Sequence, residues 1–351
     1  MILSLVVTLS LPSSHEAGET YAVPQTQENE LVEYPTNGEI PHFFTHALIA
    51  YPKLGFDKTN TMCSSYDKDC LTVDEFRAIL SSLYERDYML VDIKETYAEK
   101  GAGGARKPFL FPKGKKPFVM SFDDINYYVK KMDRGMNDRL DVDSSGRLFT
   151  YTRTAAEPVN YDNEVVTVLE NFIEKHPDFS YNGARGVLCL TGFDGVLGYR
   201  TDRDSPTRKN DTARAKRVVA ALKKRGWKFA CHSYGHYHMK KLSAERFAED
   251  TDKWLAEVEP IVGKTDIYVY PYGEWETTGF KHEYLESRGF KLFCGVGAKD
   301  YYTRMNGKTL FWDRKPLDGY SLRNLKDEYS SYFDAAAFYD PSRPTAFIPN
   351  D

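Results

Sequence analysis

Histidine and cysteine are scarce in this sequence, with eight and five copies among 351 residues. No two cysteines have the Cys-x-x-Cys spacing, which argues against a zinc site built from thiolates. The glycine patterns that bind nucleotide phosphates are missing too, so a nucleotide-binding protein loses support. The net charge is −4 and no basic stripe stands out, so we expect no nucleic-acid partner.

A long apolar run is also lacking, and the one at the N-terminus covers only about eleven residues from Met1. That length is too short to span a bilayer and is typical of a signal peptide, although the basic residues that normally come first are absent. The alternative is a buried N-terminal strand. We predict a signal-like segment and polar linker over 1–40, a domain over 41–325 and a C-terminal tail over 326–351. The protein would be secreted or associated with the cell envelope, through an atypical or truncated signal and without a transmembrane span.

The cysteines fall into two groups. Cys63 and Cys70 flank a polar segment and could form a disulfide in an exported protein. Cys189, Cys231 and Cys294 lie in or beside apolar runs, where we expect buried thiols.

Predicted strands and helices alternate along about 270 residues. Apolar residues recur with a helical period over 71–88, for example, where Thr72 and Glu75 form a capping box. This alternation predicts a parallel sheet covered by helices, either an open sheet or a (β/α) barrel. The predicted strands are 43–51, 116–122, 186–193, 227–232, 266–273, 290–297 and 308–314, and the predicted helices are 71–88, 162–176, 211–226, 243–262 and 279–288.

Residues 139–152 interrupt this alternation. Asp141, Asp143, Ser145 and Gly146 resemble the start of a calcium loop, but the twelfth position is threonine and no helices flank it. The alternating residues around the Ser-Ser-Gly turn favour a β-hairpin insertion instead.

Polar motifs follow three of the predicted strands. The first motif ends with Asp123 and Asp124, the second contains His232 and His236, and the third contains Tyr272. The carboxyl ends of parallel strands share one rim, so these motifs can converge although they lie about 150 residues apart.

Two histidines and one carboxylate are a common ligand set for a catalytic divalent metal. Successive residues that leave a strand point in different directions, so one aspartate can bind metal while the other faces substrate. Each motif also has an ordinary explanation, because an Asp-Asp pair can cap a helix and His-x-x-x-His can lie in a polar loop. Their joint position at one rim favours a metal site.

The motifs resemble those of the polysaccharide deacetylase family, whose catalytic unit is the NodB homology domain. Residues 121–124 match the family's Thr/Ser-Phe-Asp-Asp motif, and residues 232–236 match its His-Ser/Thr-x-x-His motif. Residues 270–273 match the third motif only in part, because its arginine is missing. The likeness extends over about 40–325, including an upstream part similar to that of exported bacterial members.

This resemblance implies a distorted (β/α) barrel and a divalent metal ion, most often zinc, bound by Asp124, His232 and His236. It implies that Asp123 is the general base for a water that attacks an acetamide carbonyl on a sugar. A backbone N–H near Tyr272 would help to stabilise the oxyanion. The side chain of Ser233 would hold the histidine loop. The residues that we expect to bind substrate are Tyr234, His238, Tyr270 and Pro271.

The sequence departs from the family in two ways. The late Leu-x-His motif, which supplies the general acid, is absent, and His238 or His46 could replace it. The arginine that orients the base is also missing from its motif, and Arg314 or Arg323 could take its place; we predict Arg314. Without an acid, removal of N-acetyl groups should slow more than removal of O-acetyl groups.

The predicted function is that of a metal-dependent hydrolase that removes acetyl groups from N- or O-acetylated sugars of a cell-wall or extracellular polysaccharide. The alternative is an envelope protein that binds carbohydrate and retains the metal without turnover. The missing late histidine favours that alternative, whereas the intact aspartate pair argues against it. A glycosidase would leave the two histidines without a role.

Overall fold

The computed structural model of the chain describes residues 30–35, 37–97, 108–202, 204–297, 303–306 and 309–344. The apolar run that begins at Met1 lies outside these residues. Strands in the described ranges are β1 (Leu31–Tyr34), β2 (His42–His46), β3 (Tyr88–Leu90), β4 (Phe109–Pro112), β5 (Lys116–Asp123), β6 (Arg139–Val142), β7 (Leu148–Tyr151), β8 (Val159–Asn160), β9 (Val187–Leu190), β10 (Lys228–Cys231), β11 (Ile267–Val269), β12 (Leu292–Val296), β13 (Thr303–Asn306) and β14 (Thr309–Pro316). Helices there are α1 (Pro52–Gly55), α2 (Cys63–Asp69), α3 (Val73–Glu85), α4 (Val165–Lys175), α5 (Arg208–Lys224), α6 (Ala244–Glu257), α7 (Glu259–Val262), α8 (Phe280–Ser287), α9 (Gly319–Asn324), α10 (Lys326–Tyr329) and α11 (Ala335–Phe338).

Seven parallel strands close into a barrel in the order β2, β5, β9, β10, β11, β12 and β14, and β14 then pairs with β2. Helices follow most of these strands along the chain, as the alternating pattern predicted. Helix α3 begins with the predicted capping box, in which Thr72 and Glu75 bond each other's backbone N–H groups. The predicted (β/α) barrel is confirmed.

The barrel strands are buried on both faces, which explains their nearly continuous apolar sequences. Odd-numbered residues of β5 such as Val119 join an inner cluster with Val187, Val269 and Trp312, whereas even-numbered ones such as Met120 pack in the cluster shared with the helices. Because side chains alternate along a strand, the inward rows continue through Asp123 on β5 and Arg314 on β14. The barrel thus changes from apolar to charged at the carboxyl ends of its strands.

The predicted insertion is also present. Strands β6 and β7 pair antiparallel, and β8 adds a third strand. Asp141 forms ion pairs with Arg214 (3.1 Å) and Arg217 (2.8 Å) on α5. Asp143 accepts hydrogen bonds in the turn. These acids therefore anchor and shape a hairpin, as the alternating sequence favoured over a calcium loop.

The expected disulfide does not form, because Cys63 and Cys70 are free and buried thiols. Helix α2 occupies the chain between them. A helix of that length keeps the two Cα atoms about 10 Å apart, beyond the roughly 7 Å that a disulfide can span. Cys189, Cys231 and Cys294 are buried thiols, as predicted.

Two segments outside the predicted domain are ordered around it. Strand β1, from the predicted linker, pairs antiparallel with β4. Helices α10 and α11 come from the predicted tail, and Arg343 beyond them forms buried ion pairs with Glu75 and Asp67. In the described ranges, no helix is long and apolar enough to cross a membrane.

Candidate active site

The first and second sequence motifs meet at the carboxyl ends of the barrel strands. Ligand atoms of Asp124, His232 and His236 all lie within 4.8 Å of one another, the one such group of possible metal ligands in the described part of the chain. His236 Nε2 is 3.8 Å from Asp124 Oδ2. Asp124 and His232 are buried and His236 is partly exposed, so the group opens toward solvent on one side. Three protein ligands with one side open to solvent suit a catalytic metal site, which keeps one coordination position for water or substrate.

Hydrogen bonding fixes how His232 presents its ring. Its Nδ1 lies 2.8 Å from the carbonyl oxygen of Val269, which can only accept a hydrogen bond. Nδ1 therefore donates to this carbonyl, which leaves Nε2 as the ring nitrogen that can bind a metal. Strand β11, which leads to the third motif, thus orients the ligand that directly follows β10.

Electrostatics keep the other two side chains in ligand form as well. Burial lowers the pKa of His236 to about 4, even though Asp124 opposes this shift, so its imidazole is neutral at pH 7. Burial alone would raise the pKa of Asp124, but the nearby His236, Lys131 and His232 hold it well below the usual range. His236 therefore offers a neutral nitrogen, and Asp124 offers a carboxylate oxygen.

Asp123 is held by Arg314 rather than by the candidate ligands. Both are buried, and the guanidinium donates to the two carboxylate oxygens at 2.7 and 2.8 Å. Burial would raise the pKa of Asp123, but Arg314 and then His232 hold it well below its ordinary value. The alternative candidate, Arg323, pairs with Asp67 and lies outside this group.

The backbone around the site is strained. Asp124, Ser233, His236 and Tyr272 all have φ between 52° and 60°, a region that non-glycine residues seldom adopt. Such conformations persist where the surroundings enforce them, and they concentrate at functional sites. Here they direct neighbouring side chains of the motifs in different directions.

Hydrogen bonds from α6 and from the loop itself hold the second motif. Ser233 Oγ accepts from the N–H of His236 at 2.9 Å, as the resemblance implied. Asp250 on α6 accepts from the N–H groups of Tyr234 and Gly235 at 2.8 and 2.7 Å. The loop is thus fixed at three successive peptide groups.

His46 lies at the same rim, at the end of β2. Its Cα is the register partner of Asp123 in the parallel pair β2–β5. Its Nδ1 is 2.7 Å from the carbonyl oxygen of Asp69, so Nδ1 donates and Nε2 is left available. A positive charge on His46 would lower the pKa of both Asp123 and Asp124, which places the ring within electrostatic range of both.

Tyr272 and His238 form an outer wall. The Tyr272 ring is 55% exposed, lies 4.7 Å from the His236 ring and stacks on His238 at 3.9 Å. His238 Nδ1 is 2.9 Å from a carboxylate oxygen of Glu274. Both side chains border the candidate ligands and remain accessible.

The other expected substrate residues lie in the packed interior. Tyr234 is buried and donates to Glu257 at 2.8 Å, and Tyr270 is buried with its hydroxyl 3.3 Å from the carbonyl oxygen of Glu276. Pro271 is buried as well. In this structure Tyr270 and Pro271 support the loop of the third motif, whereas the buried ring of Tyr234 lines a cavity along the histidine loop.

Sequence reasoning missed three contributors. Tyr128 donates to Asp124 Oδ1 at 2.5 Å, Ser121 lies 3.1 Å from Arg314 Nη1, and Asp250 holds the histidine loop. Ser121 is the first residue of the first motif, and its inward position two residues before Asp123 was the available signal. Nothing in the sequence links Tyr128 or Asp250 to the site, because the loop and helix that carry them are placed by packing.

Comparison with known proteins agrees with this geometry. A family model described as polysaccharide deacetylase matches residues 200–291, which include both candidate histidine ligands and the third motif. Over this stretch the chain is similar to the polysaccharide deacetylases. The predicted family resemblance is thus confirmed for this part of the chain. No curated protein sequence matches the chain.

Two solved structures are also similar to the chain. The deacetylase PplD from Streptococcus pyogenes, solved with acetate, shares 12% identity at a TM-score of 0.46, over 80% of this chain and 93% of that one. IcaB from Ammonifex degensii shares 15% identity at a TM-score of 0.46, over 85% and 98% of the two chains.

Proposed function

We propose that the protein is a metal-dependent hydrolase that removes acetyl groups from N-acetylated sugars of an extracellular polysaccharide. The observation that carries this proposal is the meeting of Asp124, His232 and His236 beside a second, separately held carboxylate, Asp123. A metal site without hydrolysis would not need that second carboxylate.

A divalent metal, zinc by preference, fits the three side chains. Two neutral imidazoles and one carboxylate are a common zinc donor set, and the open side leaves room for a water or a carbonyl oxygen. The bound metal would polarise the acetyl carbonyl and lower the pKa of a water in the site. His232 and His236 supply nitrogen ligands and Asp124 supplies the oxygen ligand.

Asp123 is the proposed general base. Arg314 keeps its carboxylate ionised and fixes its orientation through two hydrogen bonds. An ionised carboxylate beside the candidate ligands can accept the proton of the attacking water. Arg314 is a positioning residue, because it acts through Asp123.

His46 is the proposed general acid, in place of the missing late histidine. It lies in register with Asp123, and Nε2 is available to carry a proton. His238, the other candidate, is committed to Glu274 and stacked on Tyr272. The proton from His46 would go to the leaving amine, and the main-chain N–H of Tyr272 would face the developing oxyanion.

The direct test is acetate release. Purified protein loaded with zinc should release acetate from N-acetylglucosamine oligomers, and a chelator should abolish the release. Asp123→Asn should lower kcat by about a hundredfold or more, whereas Asp74→Asn, at an exposed ion pair on α3, should not. Binding of the oligomers by the zinc-loaded protein without any acetate would instead support the carbohydrate-binding alternative.

His46 has a separate test. An N-acetyl leaving group needs a proton more than an O-acetyl leaving group does. His46→Gln should therefore reduce hydrolysis of N-acetylated sugars far more than hydrolysis of O-acetylated ones. An equal loss on both substrates would remove His46 from the acid role.

The proposed location is outside the cytoplasm. It rests on the apolar N-terminal run and on the polysaccharide substrate class. Fractionation of cells that make the full chain tests it.

A further inference from the structure

A buried imidazole lies inside the barrel, below the candidate active site. His42 is 1% exposed and is the register partner of Val119, a member of the inner cluster. Register partners of a parallel pair point to the same side, so the His42 ring also points into the barrel. The ring of Trp312 packs against it edge-to-face, with the ring centres 5.2 Å apart. His42 is thus a polar exception in the apolar layer below the rim.

One ring nitrogen of His42 begins a hydrogen-bonded chain that ends at the proposed base. His42 Nε2 lies 2.9 Å from Ser121 Oγ. Arg314 Nη1 lies 3.1 Å from the same oxygen, and the guanidinium is the donor because it has no acceptor atom. Arg314 in turn donates to both carboxylate oxygens of Asp123. The imidazole is therefore two side chains away from the carboxylate that would take the proton.

Burial and charge keep this imidazole neutral. Burial lowers the pKa of His42 well below its ordinary value and the Arg314 cation lowers it further, although Asp123 opposes the shift. A neutral ring neither repels the guanidinium nor competes with it for Asp123. Its hydrogen bond restricts the rotation of the Ser121 side chain, whichever of the two groups donates. The oxygen that accepts from Arg314 is therefore held in place.

The other contacts of Arg314 leave it some freedom of orientation. Its guanidinium lies over the ring of Phe44, 4.1 Å from the ring centre, and such a contact allows it to turn in its own plane. Its Nε is 3.3 Å from the carbonyl oxygen of Gly295, which is long for a hydrogen bond. Ser121 instead contacts Nη1, the same nitrogen that binds Asp123. The serine oxygen thus limits the turn of the guanidinium where it holds the carboxylate.

Stability alone does not account for an imidazole at this position. Within the described ranges, His42 Nδ1 is buried and has no hydrogen-bond partner. A buried polar atom without a partner destabilises the fold, and an apolar side chain of similar shape would avoid that cost. The contact of Nε2 with Ser121 explains the ring better than packing does.

We propose that His42 is a positioning residue of the proposed deacetylase, because through Ser121 it fixes the orientation in which Arg314 holds Asp123. It acts below the rim, so it should affect the chemical step more than the binding of substrate. This inference rests on the proposed function and adds a residue that acts through two others.

Two substitutions distinguish the ring nitrogens of His42. The amide of glutamine can take the place of Nε2, whereas the shorter side chain of asparagine reaches only the place of Nδ1. With zinc-loaded protein and N-acetylglucosamine oligomers, His42→Asn should lower kcat about fivefold, and the kcat of His42→Gln should be roughly threefold or more above that of His42→Asn. KM should change less than about twofold in both variants. Should His42→Asn not fold, His42→Phe replaces it, since it keeps the ring volume and lacks the nitrogens.

His282→Asn is the matched control. His282 is also a buried imidazole, 2% exposed, but it packs against Phe293 and Phe311 on the helix side of the sheet. This variant should not change kcat. In a Ser121→Ala background, His42→Asn and His42→Gln should have the same kcat, because the oxygen that transmits the effect is gone.

Equal kcat in His42→Asn and His42→Gln would overturn the inference, while acetate release by the wild type would still support the proposed function. So would a difference between the two variants that persists in Ser121→Ala. If no substrate releases acetate, the proposed function fails, and nuclear magnetic resonance decides this inference. The guanidinium nitrogen signals of Arg314, identified by their loss in Arg314→Met, should move in His42→Asn and stay near their wild-type positions in His42→Gln. Signals that do not move in His42→Asn would refute it.

Discussion

Replacing Arg314 by methionine tests directly whether Arg314 is the cation that holds Asp123. Arg314 is 1% exposed and its partner Asp123 is 3% exposed. The guanidinium also approaches Ser121 Oγ at 3.1 Å and the Gly295 carbonyl oxygen at 3.3 Å. Methionine fills much of the volume but leaves Asp123 as a buried carboxylate without its cation. Breaking a buried pair in this way costs about 3–5 kcal/mol of unfolding free energy.

The pH dependence of that cost has a definite sign. In the wild type, the folded-state pKa of Asp123 lies below the unfolded value, so its ionised form stabilises the fold above about pH 4 and this contribution is lost as pH falls. In Arg314→Met, burial is no longer opposed by the guanidinium, and the pKa of Asp123 rises. Protonation of Asp123 then removes the unpaired buried charge from the variant as pH falls, so the variant regains stability. The stability gap between the two proteins should therefore narrow from pH 8 to pH 4.

Urea unfolding at several pH values measures the difference in unfolding free energy between the two proteins. Acetate release as a function of pH reports the ionisation of Asp123. The acid limb of the activity profile should move to higher pH in Arg314→Met, because Asp123 takes up its proton more readily. A double-mutant cycle with Asp123→Asn should give a coupling of about 2 kcal/mol or more. A gap below about 1 kcal/mol, or one that is the same at pH 8 and pH 4, would refute the assignment of Arg314 as the cation that holds Asp123.

Three further results should follow from buried groups. Burial raises the pKa of Glu164 to about 7, so the wild type should lose about 3 kcal/mol of unfolding free energy as pH rises from about 4.5 through 7. Glu164→Gln should not show this loss. Equal losses in the wild type and the variant, measured by calorimetric unfolding, would contradict this prediction. Arg343→Met should cost about 3–5 kcal/mol in urea unfolding, because it leaves the buried carboxylate of Glu75 without its cation, and a cost below about 1 kcal/mol would disprove that account. Tyr128→Phe should weaken zinc binding roughly tenfold in calorimetry by removing the hydroxyl that orients Asp124, whereas the exposed Tyr237→Phe should not.

The barrel could be predicted because its signals are local. Buried parallel strands are continuous apolar runs, and the helices between them carry caps and apolar faces that short windows reveal. The convergence of the motifs followed from one topological fact, namely that parallel strands end on the same side. For this reason Asp124, His232 and His236 could be placed together although β5 and β10 are far apart in sequence.

Contacts that depend on packing between distant segments are not encoded in the motifs. The sequence analysis predicts Arg314, but the geometry that selects it over Arg323 is the inward row of β14 and its register with β2. Arg343 in the predicted tail returns to Glu75, 268 residues earlier in the chain. Tyr234 and Tyr270 belong to matching motifs, yet the side on which each ring lies is set by backbone conformations that motif letters do not encode.

Several unfavourable features of the molecule lie together at one rim, and their position supports a catalytic role. A fold selected for stability alone would fill the last inward layer of the barrel with apolar side chains, since a well-packed apolar group often matches or exceeds a buried ion pair in stability. Here that layer holds Asp123 and Arg314, and the adjoining loops hold Asp124, Ser233 and His236 in strained conformations. Strain and buried charge of this kind persist where they fix reacting groups in place. The same barrel is apolar one layer below, at Val187 and Trp312, so the change in character follows the chemistry of the rim and not the demands of the fold.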